Sequence, residues 1–228
     1  MILILGACFV STEDSGGLNL LKEVDVSGYV VGLFGGGGVQ GVEVCLKDNR
    51  SLCTQTDADG YYELSGIEAN RNHVLFLEQE GQSSGSIAFV AQEDSLVLNN
   101  VSLLGEELIL GQLAALDQEW SEDKGIIAFS VSNGVNGDGI NIQGVGVDLD
   151  QGSVYFSNEL GLPVAGLDET TTNGGGVIIQ IDAKEHQLSY VGLPELCEVI
   201  MGWGTPFEHI IPVFDQRVSF ARLECISQ

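Results

Sequence analysis

The chain has 228 residues, of which 33 are Asp or Glu and 8 are Lys or Arg, giving a formal net charge of −25. A surface that negative repels phosphate backbones and anionic headgroups, which argues against nucleic acid as a partner and against charge-driven adhesion to membranes. At 44% hydrophobic residues the chain is also too rich in core-forming material for an acidic disordered segment.

In chain order, Met1-Ile-Leu-Ile-Leu5-Gly6-Ala7-Cys8 is apolar and ends in small residues before a cysteine. Leu5-Gly-Ala-Cys8 resembles the lipobox of bacterial lipoproteins. That resemblance implies cleavage before Cys8, a lipid anchor on its thiol, and a place in the bacterial envelope, facing the periplasm or the outside. Residues 1–8 are then a partial lipoprotein signal, lacking the usual basic start, and residues 9–24, rich in Ser, Thr, Glu, Asp and Gly, are a flexible tether.

From residue 25 short runs of β-branched and apolar residues alternate with Gly, Asn, Asp and Ser clusters. Strands are expected near 25–34, 39–47, 51–56, 61–66, 72–79, 84–91 and 95–103. Val74-Leu-Phe-Leu77 is apolar at every position, as in a strand covered on both faces. The pattern then breaks. Ile109, Leu113, Leu116 and Trp120 share one helical stripe, with Glu106 and Glu107 suiting the dipole at its start. A helical linker over 105–123 is expected to pack between two β units and set their relative orientation.

Strand patterns resume at Gly125. The excursion from Gly152 to Leu167 reads as an added hairpin or a functional surface, and segments 187–192, 197–203 and 208–224 supply the later strands. Two stretches anchor a comparison of the halves, Cys53-Thr-Gln-Thr-Asp57-Ala-Asp59-Gly60-Tyr61-Tyr62 and Thr170-Thr-Thr-Asn173-Gly174-Gly175-Gly176-Val177. Each reads as a hairpin turn, and each follows a strand, a Gly-rich gap and a second strand.

With Gly41-Val-Glu-Val44 and Thr56-Asp-Ala-Asp-Gly-Tyr-Tyr62, the first copy resembles the carboxypeptidase-regulatory-like, or transthyretin-like, β-sandwich family. The likeness covers 25–104 and, with Asn173-Gly-Gly-Gly176 replacing the acidic turn, 124–226. It implies non-catalytic modules attached to secreted and surface proteins. The fold class expected is therefore all-β: two tandem transthyretin-like or Ig-like sandwiches, 25–104 and 124–228, joined by a short helix.

Five cysteines stand at 8, 45, 53, 197 and 225. With Cys8 set aside, pairing Cys45 with Cys53 and Cys197 with Cys225 places one disulfide in each half and implies an oxidising compartment. A zinc site of four thiolates competes, without the close spacing such motifs have.

Local catalytic motifs are missing from the sequence. His73, His186 and His209 are scattered, and Gly35-Gly-Gly-Gly-Val39 lacks the Lys-Ser or Lys-Thr of a phosphate loop. Asp57, Asp59 and Glu63 are the calcium candidates, with Asn136, Asp138, Asp148 and Asp150 a second acidic group; the competing reading is turn chemistry with solvated carboxylates, and no other cofactor is expected. The function expected is a non-catalytic envelope module that binds an envelope or extracellular protein or glycan. The alternative is an accessory or catalytic part of a polysaccharide- or peptide-processing enzyme, with ligand contacts from Tyr155, Phe156 and Trp203 near His209.

Overall fold

The computed structural model describes residues 22–32, 37–98, 100–134, 140–194 and 196–226. Cys8, residues 9–21 of the expected tether, Gly35, Gly36, Asn136 and Asp138 lie outside the described residues.

The first half contains β1 (Glu23–Val31), β2 (Glu43–Leu46), β3 (Asn49–Gln55), β4 (Tyr61–Glu68), β5 (Arg71–Glu78), β6 (Ser84–Ala91), β7 (Leu96–Val97) and β8 (Val101–Ser102). Along β1, Val24, Val26 and Val30 are buried while Glu23, Asp25 and Tyr29 face water, the period of two expected of a half-buried strand. β4 pairs antiparallel with one edge of β1, and β7 and β8 run parallel to it. Facing this layer is a sheet ordered β3-β2-β5-β6. Val44, Leu75, Leu77, Ile87 and Phe89 from the second layer meet Val26, Val30, Leu64 and Ile67 from the first in one core.

After the helix α1 (Glu106–Ala115), the second half contains β9 (Lys124–Asn133), β10 (Gly146–Asp148), β11 (Ser153–Ser157), β12 (Pro163–Val164), β13 (Gly175–Asp182), β14 (Glu185–Val191), β15 (Cys197–Met201), β16 (Trp203–Thr205), β17 (Glu208–Pro212) and β18 (Arg217–Cys225). β9 pairs antiparallel with β13 and parallel with β18, as β1 does with β4 and with β7 and β8. The opposing layer is β10-β14-β17-β16. Ile127, Phe129, Ile178, Ile181, Leu188 and Ile211 fill the space between. The chain is an all-β protein of two sandwich halves.

The duplication read in the sequence recurs bond for bond. The buried Thr56 hydroxyl donates to the Val39 carbonyl at 2.6 Å and accepts the Val42 amide at 2.9 Å. Thr170 does the same with Ile142 at 2.7 Å and Val145 at 3.0 Å. Around them, the Val30 amide bonds to the Gly60 carbonyl and the Val131 amide to the Gly174 carbonyl, each at 2.8 Å. Gly60 and Gly174 both sit at positive φ, 77° and 70°, which a residue with a Cβ adopts at a cost.

The same alignment explains why the second copy has glycines where the first has tyrosines. Gly28 lies opposite Tyr62 in the β1–β4 pair, and Phe129 lies opposite Gly176 in the β9–β13 pair. A Cβ on Gly28 would come 2.6 Å from the Tyr62 oxygen, and a Cβ on Gly176 would come 2.6 Å from the Phe129 ring. Each sandwich thus holds one aromatic ring over one glycine, with the ring supplied by opposite strands in the two copies.

The halves are joined by backbone, not by the helix alone. β18 pairs with β9 along Val218–Cys225, while its other edge pairs parallel with β6, from Arg217 opposite Ser84 to Phe220 opposite Ile87. Beyond Ala221 that edge passes to β15. One ten-stranded sheet results, running from β12 through β18 to β3. The Arg217 guanidinium stacks 4.0 Å from the Phe76 ring and pairs with Glu78, tying the start of β18 to β5.

The two sandwiches use opposite faces of this sheet. Val218 packs under α1 and Phe220 contacts both the first core and the α1 cluster, whereas Ala221 and Leu223 belong to the cores of the second half. On the face away from the first core, Val74, Phe76 and Ala88 are covered by Trp203 and Phe214. β5 is therefore buried on both sides, as its unbroken apolar run requires.

Several sequence expectations change. The Asp57–Gly60 and Thr171–Gly174 turns are not hairpins: β3 pairs with β2 and β4 with β1, so the first turn carries the chain between sheets, while the second leads from β12 to β13, which share a sheet but pair with β11 and with β9 and β11, not with each other. The Gly152–Leu167 excursion forms β11 and β12, a hairpin added to the outer edge of β13. Segment 208–224 is two strands, split by the turn at Asp215 and Gln216, where Gln216 has φ 55°. Finally α1 lies against the sheet face formed by β9, β13 and β18 and does not sit as a spacer between the halves.

Cys45–Cys53 and Cys197–Cys225 are both disulfides between directly opposed residues of neighbouring strands. All four sulfurs are consumed, which removes the four-thiolate zinc alternative. The second bridge holds β15 to the shared strand β18 and closes a separation of 28 residues, against 8 for the first. Chain-entropy scaling gives about 3.5 kcal/mol for the longer loop and about 2.5 kcal/mol for the shorter. In chemical denaturation, replacing Cys197 and Cys225 by Ala is expected to destabilise more than replacing Cys45 and Cys53, with losses near those values. Gly28→Ala and Gly176→Ala are each expected to cost about 2–3 kcal/mol by overpacking. Gly111→Ala, in open space within α1, is expected instead to stabilise by about 0.5–1 kcal/mol in the same measurement.

Candidate functional site

α1 is a weakly specified helix held down by packing. Glu106 and Glu107 favour its N-terminus, but Gly105 supplies no side-chain cap and Gly111 interrupts its middle. It stops at Ala115, short of the stripe read to Trp120, because Asp117 adopts φ 55° and the Gln118 amide turns back to the Leu113 carbonyl at 2.9 Å. Ile109 and Leu113 anchor it on Ile126, Ile179 and Val218. Trp120 follows in irregular chain, its indole N–H donating to the Lys124 carbonyl at 2.9 Å.

Anchoring by two side chains leaves a cleft of about 290 Å³ between α1 and the sheet. Its floor is Ile126, Val177, Ile179, Val218 and Phe220, and Leu104 closes it from the first half. Ser83, Ser102, Ser130, Ser157, Gln112 and Asn173 supply polar groups around these. None of the lining residues is charged, in a chain where 18% of residues are. Ser83 and Ser157 are buried, and neither hydroxyl has a hydrogen-bond partner among the described residues. Sequence reading missed this cleft, since its lining comes from segments spread over 83–220 with no local motif.

Of the ligand-binding candidates singled out in the sequence, Tyr155 alone comes near it, and the three do not converge on one surface. Tyr155 packs in the cluster beneath α1. Phe156 is 3% exposed and meets Phe129 edge-on inside the second core, so it offers no ligand surface. Trp203 is half-buried on the opposite face, against Val74, Phe76 and Ala88.

The three histidines serve the fold. His73 bonds through Nε2 to the Glu68 carbonyl at 2.7 Å. His186 lies between the Asp182 carbonyl at 3.0 Å and the Asp150 carboxylate at 3.4 Å. His209 is fully buried; its Nε2 donates to the Met201 carbonyl and its Nδ1 accepts the Tyr190 hydroxyl, both at 2.7 Å. A carbonyl can only accept, so this pair of bonds selects the neutral Nε2–H tautomer. Burial lowers the His209 pKa to about 4 and pushes the Tyr190 hydroxyl upward.

Of the calcium candidates, Asp57 accepts the Asp59 and Tyr61 amides through Oδ1, both at 2.9 Å, and Glu63 accepts the Tyr61 hydroxyl at 2.6 Å. These are bonds that shape the turn. Asp148 accepts the following Leu149 amide. Among the described residues, the one group of three potential metal ligands within 4.8 Å of one another is Glu43, Cys45 and Cys53, whose sulfurs are already joined.

No protein-family model and no curated protein matches this chain. Among solved structures, it is similar to the TIE protein of Bacillus anthracis, with 13% identity and a TM-score of 0.29 over 91% of this chain and 34% of that one. It is similar to GBS52, the minor pilin of Streptococcus agalactiae, at 10% identity and a TM-score of 0.32, covering 90% and 96% of the two chains. The shaft pilin SpaA from Lactobacillus rhamnosus GG gives 10%, 0.25, 91% and 98% in the same measures. The chain thus spans about a third of the first of these proteins. The fold described above rests on its own strand pairing and packing.

The histidine geometry sets a pH dependence. An unfolded chain protonates His209 near 6.5, whereas the folded protein resists until about 4. Between those values the unfolded state binds more protons, so stability falls as pH drops through the window, by up to about 3 kcal/mol in all. Denaturation between pH 7 and 4 is expected to show this fall, and His209→Gln is expected to flatten it.

Proposed function

We propose that this chain is a non-catalytic, disulfide-stapled module of the bacterial cell envelope, tethered through a lipid on Cys8, that holds or binds an envelope or extracellular protein or glycan. The observation that carries this reading is the pair of cross-strand disulfides, one in each half. Such bonds persist in oxidising compartments and are rare where thiols are kept reduced. The histidines lend support, because each is spent on a hydrogen bond to a backbone carbonyl within the fold.

Kinship with the carboxypeptidase-regulatory-like, or transthyretin-like, family belongs to the same reading. What supports it is the turn that carries the resemblance: Thr56, Asp57 and Gly60 each make a bond that the β-sandwich needs, and the second copy repeats two of the three roles with Thr170 and Gly174. The acidic surface fits a partner bound through polar and apolar contacts in salt-containing surroundings. A polyanion does not fit.

Intact mass spectrometry of protein isolated from its native membrane, with thiol titration under denaturing conditions, tests the proposal. The expected result is an acylated N-terminal Cys8 and no free thiol at the other four cysteines. Four free thiols would remove the case for export, and an unmodified residue preceding Cys8 would remove the lipid tether.

A further inference from the structure

We propose that the cleft beneath α1 binds a neutral, mainly aliphatic small molecule ending in a hydroxyl or similar uncharged hydrogen-bonding group. Size sets the scale. An apolar cavity of about 150 Å³ takes up benzene, so a cleft of about 290 Å³ suits roughly eight to twelve non-hydrogen atoms.

Charge selects the class. An anionic ligand would approach through the field of a chain carrying −25 and find no cation in the lining, whereas a cationic one would find no carboxylate. An uncharged chain meets neither penalty. Apolar contact is available from the floor side chains, and the unpaired hydroxyls stand at opposite ends of the cleft, Ser83 before β6 and Ser157 on β11, so either one alone offers a donor or acceptor to the one polar end. Those hydroxyls also distinguish the cleft from a dry packing defect. Poorly held water over an apolar floor is the kind a ligand displaces with a gain in affinity.

The test uses the full chain with 1-octanol as probe, followed by methyl chemical shifts. Saturable shifts are expected at Ile126, Ile179 and Val218, with a Kd on the order of 1 mM or below, and not at Leu188 or Leu75 in the two sandwich cores. Octanoate and octylammonium, of matching length, are expected to bind at least about tenfold more weakly. Ala128→Leu, which fills the cleft from β9, is expected to weaken octanol at least about tenfold; Ser102→Leu fills it from the first half and serves if the other variant does not fold. Shifts that rise linearly to the solubility limit, equal affinity for octanoate, or unchanged binding in a folded filled variant would each overturn the proposal. These outcomes bear on the cleft alone. The acylation and thiol measurements decide the envelope reading independently.

Discussion

Parallel pairing of β18 with β6 and β9 at once is the contact on which the rest of this structure depends. Without it the two sandwiches are beads on a string. With it they share a sheet, and every element that crosses between halves is positioned by that sheet: α1 on one face, Trp203 and Phe214 on the other. A strand in the middle of a sheet must be apolar on both sides, and β18 meets this demand with an unusual mixture. Val218, Ala221 and Leu223 are buried among aliphatic neighbours, while Arg222 and Glu224 form a side-chain pair at 3.2 Å, with Arg222 also donating to Ser132 of β9 at 3.1 Å. A one-residue slip of β18 would carry those charges into the apolar cores, so the pair disfavours alternative registers.

The halves are copies in backbone and complements in side chains. Thr56 and Thr170 make the same bonds, and Gly60 and Gly174 bend the same way. Yet the ring that fills each sandwich comes from β4 in one case and β9 in the other. Packing demands one ring and one glycine per site and is indifferent to which strand supplies which. The outer strand differs too: β3 extends the sheet beyond β2, whereas β11 has crossed to the edge of β13. Duplication has preserved the connections that need specific φ angles and hydrogen bonds and has released the rest.

Much of this was legible in the residues. Strand positions, the repeat and both disulfides follow from alternation, turn residues and cysteine spacing, all of them local signals. Val74 to Leu77 announced a strand buried on both faces because no water-facing residue interrupts it. Turn composition, by contrast, reports which φ angles are tolerated and is silent on whether the next strand pairs back or leads on to another partner, so both turns read as hairpins. The helix stripe overran because the period continues to Trp120 while the αL residue Asp117 ends the helix. The edge-to-edge join of β18 with β6 spans more than 130 residues and leaves no trace beyond an apolar strand. The uncharged cleft is a property of assembled surfaces and likewise has no signature in any one stretch.

The placement of the last strand at the middle of the sheet has a consequence for biogenesis. Ribosomes deliver residues 217–225 after β6 and β9, so during synthesis each of those strands waits with a bare hydrogen-bonding edge. Nascent chains with such edges invite mispairing with their neighbours. Closure of this sheet therefore waits on one stretch of nine residues, because β18 alone covers both waiting edges at once.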